Sequence, residues 1–174
     1  MDTLLRTQIK VIGVGNEWRG DDAAGILVAR RLKEDRLPRV RFSECLGTVS
    51  DIQDAWKDAA GAIVVDAVYS GGPPGTIYRF DAHGAGMPVE LSRSPSSHGW
   101  GVAEALALGK VFQELPPFLI IYGIAGKDFS PGRGLSPEVA AAVPETVRRL
   151  KQEILAWLGG APPMGHPLKN GGQS

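Results

Sequence analysis

The chain has one cysteine, Cys45, and no apolar run near the roughly 18 residues that a membrane-crossing helix needs. A single thiol excludes an internal disulfide and any zinc cage built from cysteines, which fits a reducing compartment. Cys45 is expected to be a packed residue and not a nucleophile. Neither sign of charge is in excess, since 19 Lys and Arg balance 19 Asp and Glu. With no block of like charge, neither nucleic acid nor an anionic membrane has compositional support as a partner. Met1-Asp2-Thr3-Leu4-Leu5-Arg6 lacks the apolar core of a secretory signal, so a cytoplasmic protein is expected. The 174 residues suit one domain able to bury a substantial core, expected over residues 1–158. Residues 159–174, from Gly159-Gly160-Ala161-Pro162-Pro163 onward, read as a poorly ordered tail.

What is present alternates. An apolar, β-branched segment over Gln8–Gly13 leads through a glycine loop into a helical pattern over Asp22–Glu34, with Ala24, Leu27, Val28 and Leu32 on one stripe. A second strand is expected at Val40–Glu44, then a turn at Gly47-Thr48 and a short helix near Ser50–Ala59 that Gly61 stops. Ala62-Ile63-Val64-Val65 has the continuous apolar character of a parallel strand buried on both faces, and it ends on Asp66. Thr76–Phe80 alternates like an antiparallel edge strand. Ser96-Ser97-His98-Gly99-Trp100 opens a helix carrying Val102, Ala105, Leu106 and Val111, and Phe118–Ile124 is another buried strand. Ser136-Pro137 starts a long final helix, Ser136 as its N-cap, with Pro144 expected to kink or split it. The pattern is a doubly wound α/β sandwich, in which ligands bind at the carboxyl ends of the strands.

The segment Gly13-Val14-Gly15-Asn16-Glu17-Trp18-Arg19-Gly20-Asp21-Asp22 stands at such an end. A glycine loop between strand and helix invites a phosphate, yet Asp21 and Asp22 would repel one, and Trp18 replaces the third glycine of G-x-G-x-x-G. A nucleotide-binding module using Gly13, Gly15 and Glu44 therefore remains the weaker alternative. Asp22 after the first strand, Asp66 after the third and His98 at the start of a helix can meet at one sheet edge. Two carboxylates and an imidazole suit zinc, nickel, manganese or iron, and three protein ligands leave room for water or substrate. No G-x-S-x-G elbow is present, so water is the expected nucleophile, with Asp21 or an unligated oxygen of the three residues as candidates to accept its proton.

Gly13-Val14-Gly15-Asn16, Gly20-Asp21-Asp22 with Gly25, Val65-Asp66-Ala67, Ser97-His98-Gly99 and Gly134-Leu135-Ser136-Pro137 together resemble the NiFe-hydrogenase maturation endopeptidases. The resemblance implies a five-stranded, mostly parallel sheet flanked by helices and a metal-binding triad on Asp22, Asp66 and His98. It also implies a substrate cleft for which Asn16, Gly47 and Thr48 are carried over, although Glu44-Cys45-Leu46 departs from the family's pattern there. The implied task is a single cut that removes the C-terminal extension of a hydrogenase large-subunit precursor after nickel is installed. The nickel then comes with the substrate, and another divalent ion such as zinc or cadmium would fit the same grip. A non-catalytic chaperone of the large subunit is the remaining alternative.

Overall fold

The structure, a computed structural model, describes residues 8–84, 101–161 and 163. Strand β1 (Ile9–Val14) runs into a 3-10 turn (Gly20–Ala23) and helix α1 (Ala24–Lys33), followed by β2 (Val40–Cys45) and α2 (Val49–Trp56). The central strand β3 (Gly61–Val68), the edge strand β4 (Ile77–Asp81), α3 (Gly101–Phe112), β5 (Phe118–Ala125) and α4 (Pro137–Leu158) complete the described elements. The strands form one sheet in the order β2-β1-β3-β5-β4; β2, β1, β3 and β5 are parallel, and β4 pairs antiparallel with β5. This is the expected five-stranded α/β sandwich with one antiparallel edge.

Each face carries its own core. Alternate residues of the strands, among them Val11, Ile63, Val65, Ile120 and Tyr122, pack under α1 and α4. The intervening ones, Ile12, Val64, Leu119 and Ile121, pack under α2 and α3. All eight residues of β3 are buried, as a strand covered on both faces must be. The chain passes from β1 to β2 on one side and to β3 on the other, so a crevice opens where β1 and β3 end, the position at which open α/β sheets bind ligands.

Several elements differ from the sequence-based expectation. The first helix does not start at Asp22: that residue lies in the 3-10 turn, and α1 begins at Ala24. Helix α2 ends at Trp56 because Lys57 turns extended and Asp58 adopts a left-handed φ of 58°, so Gly61 does not stop the helix but opens β3. A Cβ on Gly61 would lie 3.1 Å from the Trp157 ring, which explains the small residue there. Asp66 does not end its strand; β3 continues to Val68 and Asp66 pairs with Gly123. Val111 leaves the apolar stripe and is 73% exposed. Helix α4 runs unbroken through Pro144, since burial of Val139, Val143, Leu150 and Ile154 against the sheet and α1 outweighs the roughly 3 kcal/mol that an internal proline costs. Among the described residues, no helix is long and apolar enough to cross a membrane. The serine cap expected for α3 and most of the expected tail lie outside the described residues.

Candidate active site

The loop after β1 folds back tightly on itself. Gly15 has φ +145°, and a Cβ there would stand 1.8 Å from the Asp22 carbonyl oxygen, so only glycine lets the two backbones meet. Gly25 does the same for the helix: a Cβ on it would come within 2.2 Å of the Val65 carbonyl. The glycines of this motif serve backbone packing, which presses the acidic turn onto the ends of β1 and β3. Asn16 closes the loop, its side-chain oxygen accepting the Trp18 N–H at 2.9 Å and its carbonyl accepting the Arg19 N–H at 3.2 Å.

The two adjacent carboxylates meet opposite surroundings. Asp21 is fully buried, and its oxygens accept four hydrogen bonds: the backbone N–H groups of Lys127 (2.8 Å), Asp128 (2.9 Å) and Ser136 (2.7 Å), and the Ser136 hydroxyl (2.9 Å). Burial alone would raise its pKa, but these donors outweigh it and hold the carboxyl below its ordinary value of 3.8. Asp22, 2% exposed, keeps one carboxylate oxygen, Oδ1, without a hydrogen-bond partner among the described residues. Burial pushes its pKa up, and the Asn16 N–H and the charge of Arg19 only partly restrain it. Asp66 on β3, 6% exposed, is pushed well above the carboxylate range, first by burial and then by the negative charge of Asp22, with the Ala67 N–H opposing. The buried Nε of Arg19 is likewise without a partner.

Asp22 and Asp66 are therefore two buried acids within electrostatic reach of each other, one with an orphaned oxygen. Such a pair retains a proton or takes up a cation, because two bare carboxylates in a dry crevice repel and neither is fully solvated. The structure brings these two expected residues together. His98 lies outside the described residues; Gly101, where α3 begins, packs so closely that its Cβ would stand 1.7 Å from the Gly47 carbonyl. Among the described residues no cluster of three or more His, Cys, Asp and Glu side chains could hold a metal.

The remaining expected residues have structural tasks. Asp21, expected to accept a proton from water, has both oxygens occupied and instead anchors the β5–α4 loop. The same segments are joined by Asp21 N–H to the Asp128 carbonyl (2.8 Å), Gly20 N–H to the Gly132 carbonyl (2.9 Å) and Gly132 N–H to the Trp18 carbonyl (2.7 Å). Thr48 caps α2, its hydroxyl accepting the Asp51 N–H at 3.2 Å, and Gly47 takes φ +95° beside Val14. Cys45 packs against the α2 side of the sheet with its thiol pushed up to about 11 by burial, in keeping with a packed, unreactive residue. Glu44 is held by Arg30 through two 2.8 Å hydrogen bonds, which removes the acid that a nucleotide ribose would need.

Sequence spacing did not reveal Ser136 as a partner of Asp21. The Ser-Pro pair read as a helix cap; Ser136 does sit at the N-cap, but makes no side-chain capping bond and gives its hydroxyl to Asp21. Trp18, Leu46 and Tyr69, each more than half exposed, follow β1, β2 and β3 and form an apolar rim at the site's end of the sheet. Arg133 stacks on Trp18 at 4.1 Å.

Residues 46–153 match a family model, HycI, described as hydrogenase maturation protease. The fold is similar to that of the hydrogenase-maturating endopeptidase HybD from E. coli, at 22% identity and a TM-score of 0.71, covering 88% of this chain and 94% of that one. It is similar to the hydrogenase 2 maturation peptidase from a Thaumarchaeota archaeon, at 25% identity and a TM-score of 0.61, covering 85% and 98%. A third similar structure is the [NiFe] hydrogenase maturation protease HycI from Thermococcus kodakarensis, at 24% identity and a TM-score of 0.59, covering 84% and 91%. No curated protein sequence matches the chain.

Proposed function

The chain belongs to the hydrogenase maturation protease family, and from that premise we propose that it removes the C-terminal extension of a NiFe-hydrogenase large-subunit precursor once nickel is in place. The observation that carries this reading is the buried Asp22–Asp66 pair with its unpartnered Asp22 Oδ1. In the proposal, Asp22, Asp66 and His98 grip a divalent ion that arrives with the substrate, so the loaded precursor supplies the positive charge that the pair lacks. A nickel-free precursor offers no such charge, and metal loading becomes the test of specificity. Nickel, zinc and cadmium all suit two carboxylates and an imidazole. The bound ion would supply Lewis acidity toward the scissile carbonyl.

The chain's own residues do the rest. The Asn16 N–H fixes one side of the Asp22 carboxylate, and the Asp21 anchor holds the turn that carries it. Asp66, pushed up by burial and by the charge of Asp22, holds its proton until positive charge enters, which leaves a carboxylate able to accept a proton from attacking water. The test is to mix the protein with nickel-loaded and nickel-free precursor and weigh the large subunit by mass spectrometry. Loss of the C-terminal extension from the loaded precursor alone is expected, and D22A, D66A and H98A should leave it uncut. Tight binding without any mass loss would instead support the chaperone alternative.

A further inference from the structure

We infer that the outer edge of β2 receives the precursor's C-terminal extension as an added antiparallel strand, leaving the scissile bond at the acid pair. The inference rests on the processing reading above. Among the described residues, strand β2 is terminal in the sheet and pairs only with β1. Ile9 of β1 and Gly15 just after it donate to the carbonyls of Arg39 and Cys45, so the odd-numbered residues of β2 spend their backbone groups inward. In a parallel ladder the intervening residues Val40, Phe42 and Glu44 then turn their N–H and C=O groups outward, a template for another strand.

The two sides of that edge carry opposite charge. On the α1 side, the groove beside Phe42 and Glu44 is lined by Arg30 and Lys33; Arg30 is engaged with Glu44 and Glu17, while Lys33, within electrostatic reach of Glu44, is in no ion pair among the described residues and can turn to a visitor. On the α2 side, the groove beside Cys45 is lined by Asp51 and Asp54. Side chains of an added strand alternate between these grooves, so the edge selects acidic groups on one face and basic or hydroxyl groups on the other. The edge is also continuous with the site. Cys45 and Leu46 share a groove with Gly15 and Trp18 of the acidic loop, and Cys45 lies within electrostatic reach of Asp66. A chain leaving the acid pair along this groove covers Leu46 and Trp18 and meets the open ladder. The antiparallel direction follows because the extension lies downstream of the bond being cut.

The experiment measures hydrogen exchange, amide by amide, in wild-type protein with and without a nickel-loaded precursor whose scissile bond carries a substitution that prevents cutting, while the unaltered precursor is assayed with the same protein for mass loss. Exchange at Val40, Phe42 and Glu44 should slow at least about tenfold on mixing, while Arg41, Ser43 and Cys45, already bonded to β1, stay unchanged. Reversing both grooves with K33E and D54K should raise KM about tenfold at constant kcat. Cutting without slowed edge amides overturns the inference and leaves the processing reading standing. Slowed edge amides without cutting sustain the inference and overturn the processing reading. Edge amides already slow in the isolated protein overturn it too: protection that grows with protein concentration assigns the edge to a second copy, and protection that does not assigns it to a segment of this chain outside the described residues.

Discussion

Asp21 and Asp22 are neighbours in sequence and both hidden from solvent, yet one accepts four hydrogen bonds and the other keeps an oxygen to which no described residue donates. Asp21 holds the β5–α4 loop against the turn after β1; Asp22 lies within electrostatic reach of the buried Asp66. A second buried acid at the far edge of the sheet sharpens the contrast. Glu153 on α4 is met by the Tyr122 hydroxyl at 2.8 Å and by the Arg79 guanidinium, so its charge is spent on holding α4 to β4 and β5. Burial alone marks no site. What distinguishes the crevice is buried acid that the fold leaves uncompensated, which is how strain at functional positions departs from otherwise consistent design.

That contrast can be broken experimentally, and the largest effect belongs to the unsatisfied side. D22A and D66A should lose at least about a hundredfold in precursor cutting, with no fall in thermal midpoint when divalent ions are chelated. Equal cutting by either variant would remove the pair from the chemistry. Next comes the satisfied side: D21A strands three backbone N–H groups and a hydroxyl, and should lower stability by about 3–5 kcal/mol in urea unfolding. A smaller loss, about 1 kcal/mol each, is expected for S136A, which deletes one of those four bonds, and for Y122F at the far network. E145A, on an exposed α4 pair with Arg148 and Arg149, should leave the urea midpoint nearly unchanged.

The same pair of neighbours predicts opposite responses to pH. The Asp66 carboxyl sits above its ordinary value in the fold, so the folded protein binds its proton more tightly than the unfolded chain does. In chelator its contribution is fullest below the ordinary carboxylate value of 3.8 and fades as pH rises towards the elevated folded value, and D66N should flatten that slope. Asp21, held below 3.8, contributes above that value and loses its contribution as pH falls through the lower folded one. Stability curves of D66N and D21N against pH, read by urea unfolding, should diverge from the wild type at opposite ends.

Much of this was legible in the sequence where a local signal existed. The apolar run Ala62–Val65 announced a central strand, the alternation at Thr76–Phe80 an edge, and the clash of acidic residues with a phosphate-type glycine loop marked the crevice. Legibility failed where the deciding partner is remote. Ser136 lies 115 residues from Asp21, so its hydroxyl looked like a helix cap. Asp66 seemed to end a strand because a charge follows apolar residues, whereas the ladder to β5 carries the strand past it. Pro144 signalled a break that packing against the sheet and α1 overrides. Arg30 and Glu44, fourteen residues apart, gave no local hint that the candidate ribose acid was already bound.

The central claim is that Asp22 and Asp66 are an incomplete grip on a divalent ion, and calorimetric titration of nickel or cadmium into metal-stripped protein tests it most directly. In buffers of different ionisation enthalpy, one ion should bind with release of a proton, and D22N and D66N should each abolish that binding while remaining folded. Unchanged affinity in both variants, or binding by the wild type without proton release, would contradict it.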